Sequence, residues 1–62
     1  MLKVVFDNPN AARRMTIIRC DRQSVDNICE WYASHHAGDK YDVWIDGQKR
    51  VLDDYGMVVG IE

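Results

Sequence analysis

Proline occurs once, at Pro9, cysteine only at Cys20 and Cys29, and glycine four times in 62 residues. Two cysteines do not make the disulfide framework that staples small secreted domains, so both are expected to be reduced and packed as small hydrophobes. No segment approaches the run of about 18 apolar residues that a membrane-spanning helix needs, and residues 1–15 lack the apolar core of a secretory signal. The expectation is a cytoplasmic protein with no membrane partner. The glycines are scattered at turn positions and form no phosphate-cradling loop, and neither a nucleophile elbow nor a dinucleotide-binding strand–turn–helix occurs.

Metal-ligand spacing is also missing. His35 and His36 are adjacent, so on a helix they point about 100° apart and do not readily share an ion. Cys20 and Cys29 are not in a close CxxC pair, and no metal or other cofactor is expected. Asp53-Asp54 is the only adjacent pair of acids. It falls among turn formers, where solvated carboxylates keep ordinary pKa values, so general acid–base work is not expected of it.

Hydrophobic residues make up 47% of the chain and aromatic residues 10%, the profile of a packed domain and not of a disordered one. Residues 1–62 have room for a single domain. A chain of this size buries about 60% of its unfolded surface, which leaves too little interior for a deep catalytic cleft. No enzyme activity is expected. The net charge of −2 and a pI near 5.5 disfavour non-specific attraction to nucleic acid. The distribution is uneven: residues 1–24 hold five basic residues against two acids, and the remainder three against eight. The two signs fall in opposite halves of the sequence.

The periodicity gives the order of elements. Leu2–Phe6 alternates with β-branched residues and reads as a strand, ended by the turn formers Asp7-Asn8-Pro9-Asn10. Met15–Cys20 reads as a second strand joined to the first by a long basic loop in an antiparallel hairpin. Ile17 and Ile18 point opposite ways and either can enter the core. From Asp21 the period lengthens, with Val25, Ile28, Cys29, Tyr32 and His36 on one stripe of a helix that starts at residue 22 or 25 and runs to residue 37. Asp21 or Ser24 caps its start and Gly38 takes the left-handed position after its end. Core packing is expected for Tyr32 and for Trp31 at the stripe's margin. Tyr41–Ile45 alternates again, Asp46-Gly47 makes a tight turn into Lys49–Leu52, and Met57–Ile61 forms the last strand, with Gly60 a bulge or close-approach position. The order ββαβββ implies an α+β fold, one antiparallel sheet with one helix packed on one face.

Such a sheet leaves its other face to water or to a partner. If Tyr41, Val43 and Ile45 face the helix, Trp44 lies on that free face between Asp42 and Asp46, joined by Val5 and Val58. A two-residue loop sets Trp44 opposite Lys49 and a three-residue loop sets it opposite Arg50, and either cation can pack on the indole. Tryptophan and arginine are enriched among interface hot spots. The expected partner-binding residues are therefore Trp44, Arg50, Lys49 and Asp42, with Arg13 and Arg14 of the basic loop. The expected partner is a larger protein or protein–nucleic-acid complex, or a second copy in a homodimer. Small autonomous chains of this kind fit accessory or inhibitory proteins of phage or mobile elements, such as inhibitors of host defence complexes. The alternative is a nucleic-acid-binding regulator using Arg13, Arg14, Arg19 and Arg22. Five of the six aromatics lie from Trp31 onward, away from those arginines, which makes direct nucleic-acid binding the weaker expectation.

Overall fold

The computed structural model describes all 62 residues. Strands β1 (Leu2–Asp7), β2 (Met15–Cys20), β3 (Asp42–Ile45), β4 (Gln48–Leu52) and β5 (Val58–Ile61) form one antiparallel sheet in the order β2-β1-β3-β4-β5. Helix α1 (Val25–His35), entered through a single 3-10 turn at Arg22–Ser24, packs on one face. The α+β order ββαβββ is the one the periodicity implies.

The core follows from strand alternation. Val4, Phe6, Val43 and Ile45 point to the helix and are almost completely buried, and Cys20, Cys29 and Tyr32 close the cluster. Register settles the ambiguity of β2. Ile18 stands opposite Val4 and packs against the core, whereas Ile17 stands opposite Val5 on the free face, 52% exposed. Trp31 stays outside the core, 46% exposed, with its ring beside His35, so the margin of the stripe turns to solvent and not inward.

The helix begins where the sequence supplies a cap. Asp21 Oδ1 accepts the Ser24 N–H at 3.1 Å, and Ser24 itself makes no side-chain cap bond. It ends at His35, two residues before the expected limit; His36 donates its N–H to the Tyr32 carbonyl, and Gly38 has φ +87°. Left-handed backbone is accessible to glycine without a Cβ penalty, so the chain reverses there.

The β3–β4 connection is a two-residue turn with φ +50° at Asp46 and +80° at Gly47, the pattern of a type I′ hairpin. Across from it, the Lys3 N–H donates to Asp46 Oδ1 at 3.0 Å and the Asp46 N–H donates to the Lys3 carbonyl at 2.9 Å. The turn is thereby tied to β1. Between β4 and β5 the register slips at Val51/Leu52: Val51 pairs with Gly60 and Leu52 with Val58, leaving Val59 as the extra residue of a bulge. The bulge overturns one expectation. Val58 packs against the core, and Val59 is the residue left 63% exposed.

Candidate interaction surface

The face of the sheet away from α1 carries no covering element. Its middle row, read across the strands, is Ile17, Val5, Trp44 and Lys49, set by the pairings Val5↔Ile17, Val5↔Trp44 and Trp44↔Lys49. Val5 and Trp44 are half-buried against their neighbours, whereas Ile17, Val51 (41% exposed) and Val59 are open. Trp44 therefore closes an apolar row across β2, β1 and β3, with Lys49 next to it and Val51 two residues further along β4. Val51 lies on this face because the two-residue turn puts Lys49 and Val51 on the same side as Trp44. The Asp46-Gly47 signal carried that information. Val59 joins only through the bulge, which no residue pattern announced.

The same register removes Arg50 from this surface. It is opposite Ile61 and shares the helix-facing side of β4 with Leu52, where its positive charge reaches Cys29 and its Nε is buried without a partner. Of the two cations weighed for Trp44, Lys49 is the neighbour. Its ammonium sits between Asp42 (3.8 Å) and Glu62 (3.4 Å), so carboxylates take the charge in place of the expected packing on the indole.

The basic loop reaches the rim. Arg14 Nε donates to Asp7 Oδ1 at 2.7 Å, and that hydrogen bond and charge raise the guanidinium pKa further. Asp7 is paired with Asp42, and an open cleft of about 260 Å³ between them is lined by Pro9, Arg14, Lys40 and Tyr41 as well. Arg13 is exposed on the loop without an ion pair. The loop is held by Asn8, which is fully buried: its N–H donates to the Arg14 carbonyl, its Oδ1 accepts the Asn10 N–H, and its Nδ2 donates to Asp39 Oδ2 at 3.1 Å. Nothing in the sequence singles out Asn8 from an ordinary turn asparagine. Its role appears only when Asp39, just beyond the helix, is brought to it.

The four arginines of the nucleic-acid alternative are divided. Arg13 and Arg14 precede β2, Arg19 is near its other end on the free face, and Arg22 lies in the 3-10 turn. A six-residue strand spans roughly 17 Å, so the two pairs do not form one patch.

A second open cleft, about 250 Å³, lies between Gly38–Tyr41 and Leu52–Gly56. Its Asp53 carboxylate accepts the backbone N–H groups of Tyr55 and Met57, each at 2.9 Å, so it organises the turn. His35 Nδ1 donates to the Trp31 carbonyl at 2.8 Å, and His36 Nδ1 is 3.4 Å from Asp39 Oδ2. No group of three or more His, Cys, Asp or Glu side chains is arranged to hold a metal ion. No helix is long and apolar enough to cross a membrane. Comparison with family models, curated proteins and solved structures gives no match.

Proposed function

We propose that this chain is a small, non-enzymatic protein-binding module of the cytoplasm that occupies a surface of a larger protein or protein–nucleic-acid complex. The observation that supports it is the uncovered sheet face, where Ile17, Val5 and Trp44 make an apolar row that ends on Lys49, with Val51 and Val59 exposed beyond it and Arg14 and Asp42 at one end. A central aromatic among aliphatic residues bordered by charged ones is the composition of an interface core. The chain's size suits an accessory or inhibitory protein of phage or mobile-element type, such as an inhibitor of a host defence complex, which acts by covering a surface and needs no catalytic cleft.

The test is affinity capture from a lysate of the source organism with wild type and a Trp44→Ala/Arg14→Ala variant, each with and without nuclease. The proposal expects a protein that survives nuclease and is lost with the variant. A captured protein that the variant retains at wild-type level would rule out this face, and recovery of nucleic acid alone would transfer the function to the arginines.

A further inference from the structure

The two edges of the sheet differ. β5 is short, carries the bulge at Val59 and is followed by Glu62, features that blunt an edge against further pairing. β2 pairs with β1 in unbroken register along its whole length and contains no proline. The Asn8 N–H donates to the Arg14 carbonyl, so the ladder alternates from a hydrogen-bonded Asn8 and Arg14 pair. Thr16, Ile18 and Cys20 then turn their backbone groups to β1, whereas Met15, Ile17 and Arg19 turn theirs outward. β1 shows the same phase from its other side, because Lys3, opposite Arg19, directs its N–H and C=O to Asp46. The outward N–H and C=O groups of Met15, Ile17 and Arg19 have no partner in the fold. Charge is arranged along the same edge: Arg13 lies two residues before Met15, Arg19 two beyond Ile17, and Arg22 just past the strand. None of these three has a carboxylate within ion-pairing distance; Arg14 alone is paired, with Asp7. Arg19 also faces Lys3 across the ladder, a like-charge pair that disfavours the sheet.

We infer that β2 accepts an extended acidic segment of another protein as an added strand. The outward backbone groups supply the hydrogen bonds of strand addition, and the side chains beside them select the segment. Met15 and Ile17 are exposed and take apolar residues opposite them. Carboxylates opposite Arg13 and Arg19 complete the match, about 20 Å apart along an extended chain. The segment therefore reads acidic-x-apolar-x-apolar-x-acidic. That pattern is the same in both directions, so it holds for parallel and for antiparallel addition. A second copy of the chain does not fit, because it would bring the same unpaired arginines to this edge. The inference shares with the proposed function only that the partner is a protein: Trp44 lies on β3, with β1 between it and the edge.

The test is an amide NMR titration of the full chain with the peptide acetyl-Glu-Thr-Val-Thr-Val-Thr-Glu-amide and with its counterpart carrying Lys at both ends. The acidic peptide is expected to shift the Met15, Ile17 and Arg19 amides and protect them from exchange, with a dissociation constant on the order of 1 mM. The Lys-ended peptide should bind at least about tenfold more weakly. Ile17→Pro removes an outward N–H and leaves the β1 ladder intact, so it should fold and lose at least about tenfold in peptide affinity. Arg13→Glu/Arg19→Glu should reverse the order of the two peptides, which tests the charge match without touching the backbone. Trp44→Ala should bind the acidic peptide as wild type does. No shift of these amides at about 10 mM peptide overturns the inference, as do equal affinities for the two peptides or an unreversed order in the double variant. Tighter binding of an oligothymidylate at the same amides assigns the edge to nucleic acid and overturns it too. Partner capture that depends on Trp44 while the peptide fails keeps the proposed function and discards the edge alone.

Discussion

The ring of Tyr32 lies flat against that of Phe6, centroids 4.0 Å apart and planes within 6°, and this stack fastens α1 to the middle of the sheet. Tyr41 meets the Tyr32 ring edge-on at 4.9 Å and His36 stacks on it at 4.2 Å, so one helical residue collects contacts from β1, the helix end and the segment before β3. Its hydroxyl is buried with no hydrogen-bond partner.

Tyr32→Phe removes an unsatisfied group and keeps the stack. It should leave stability unchanged or raise it by up to about 1 kcal/mol, whereas Tyr32→Ala should lose about 3–5 kcal/mol. Urea denaturation measures both, and a loss above about 1 kcal/mol for the phenylalanine variant would show that the hydroxyl has a partner.

Asn8→Ala should cost about 2–3 kcal/mol, because it deletes the amide bond to the Asp39 carboxylate and the bond from the Asn10 N–H at a fully buried position. Amide hydrogen exchange in the Asn8–Arg14 loop should rise with it. Unchanged protection there would mean the loop is held by other contacts.

Gly56 has φ +83°, and a Cβ built on it comes within 2.5 Å of the Tyr41 hydroxyl, which itself donates to the Gly56 carbonyl at 3.3 Å. Gly56→Ala therefore combines backbone strain with displacement of Tyr41 and should lose about 1–3 kcal/mol. Gly60 has open space around its Cβ position and ordinary backbone, so Gly60→Ala should be neutral or stabilise by about 0.4–1 kcal/mol. Equal losses for the two would refute the steric account.

Burial, then the charges of Asp26 and Cys20, push the Cys29 thiol above its ordinary range, and burial with nearby Tyr32 does the same to Tyr41. Both groups are neutral when protonated, so between the unfolded and folded pKa values the native state binds more protons than the unfolded chain. Stability then falls as pH rises above about 8.5, with Cys29 acting first and Tyr41 from about pH 10, at no more than about 1.4 kcal/mol per pH unit for each group. Melting curves from neutral to alkaline pH check the slope, and Cys29→Ala should flatten its onset even though the truncation lowers stability overall. An identical slope in that variant would assign the alkaline loss elsewhere.

Local chemistry made most of the fold legible. The stripe Val25, Ile28, Cys29, Tyr32 needs a helix to gather on one side, Asp21 supplies an acceptor where that helix begins, and Asp46-Gly47 admits the positive φ values that a two-residue hairpin requires. Alternation in β1 and β3 likewise fixed which residues enter the core, and with it the outward direction of Val5 and Trp44.

The candidate surface was legible only where a turn fixed the register. Lys49 opposite Trp44 follows from the hairpin, and so does the exclusion of Arg50, but neither could be chosen until the loop length was known. Ile17 and Ile18 have the same chemistry and differ only in phase; pairing of Val4 with Ile18 decided between them. Val58 and Val59 exchanged their expected faces because a bulge inserts one residue, an event that depends on how β4 and β5 fit together and not on either strand alone.

The sequence by itself determined the number, kind and order of the elements, because periodicity, caps and turn conformations act over a few residues. Only the tertiary structure decided the strand order, the burial of Asn8 against Asp39 and the placing of Lys3 opposite Arg19 and Asp7 opposite Asp42. Those relationships join residues far apart in the chain, and their energies exist only once the sheet register brings the partners together.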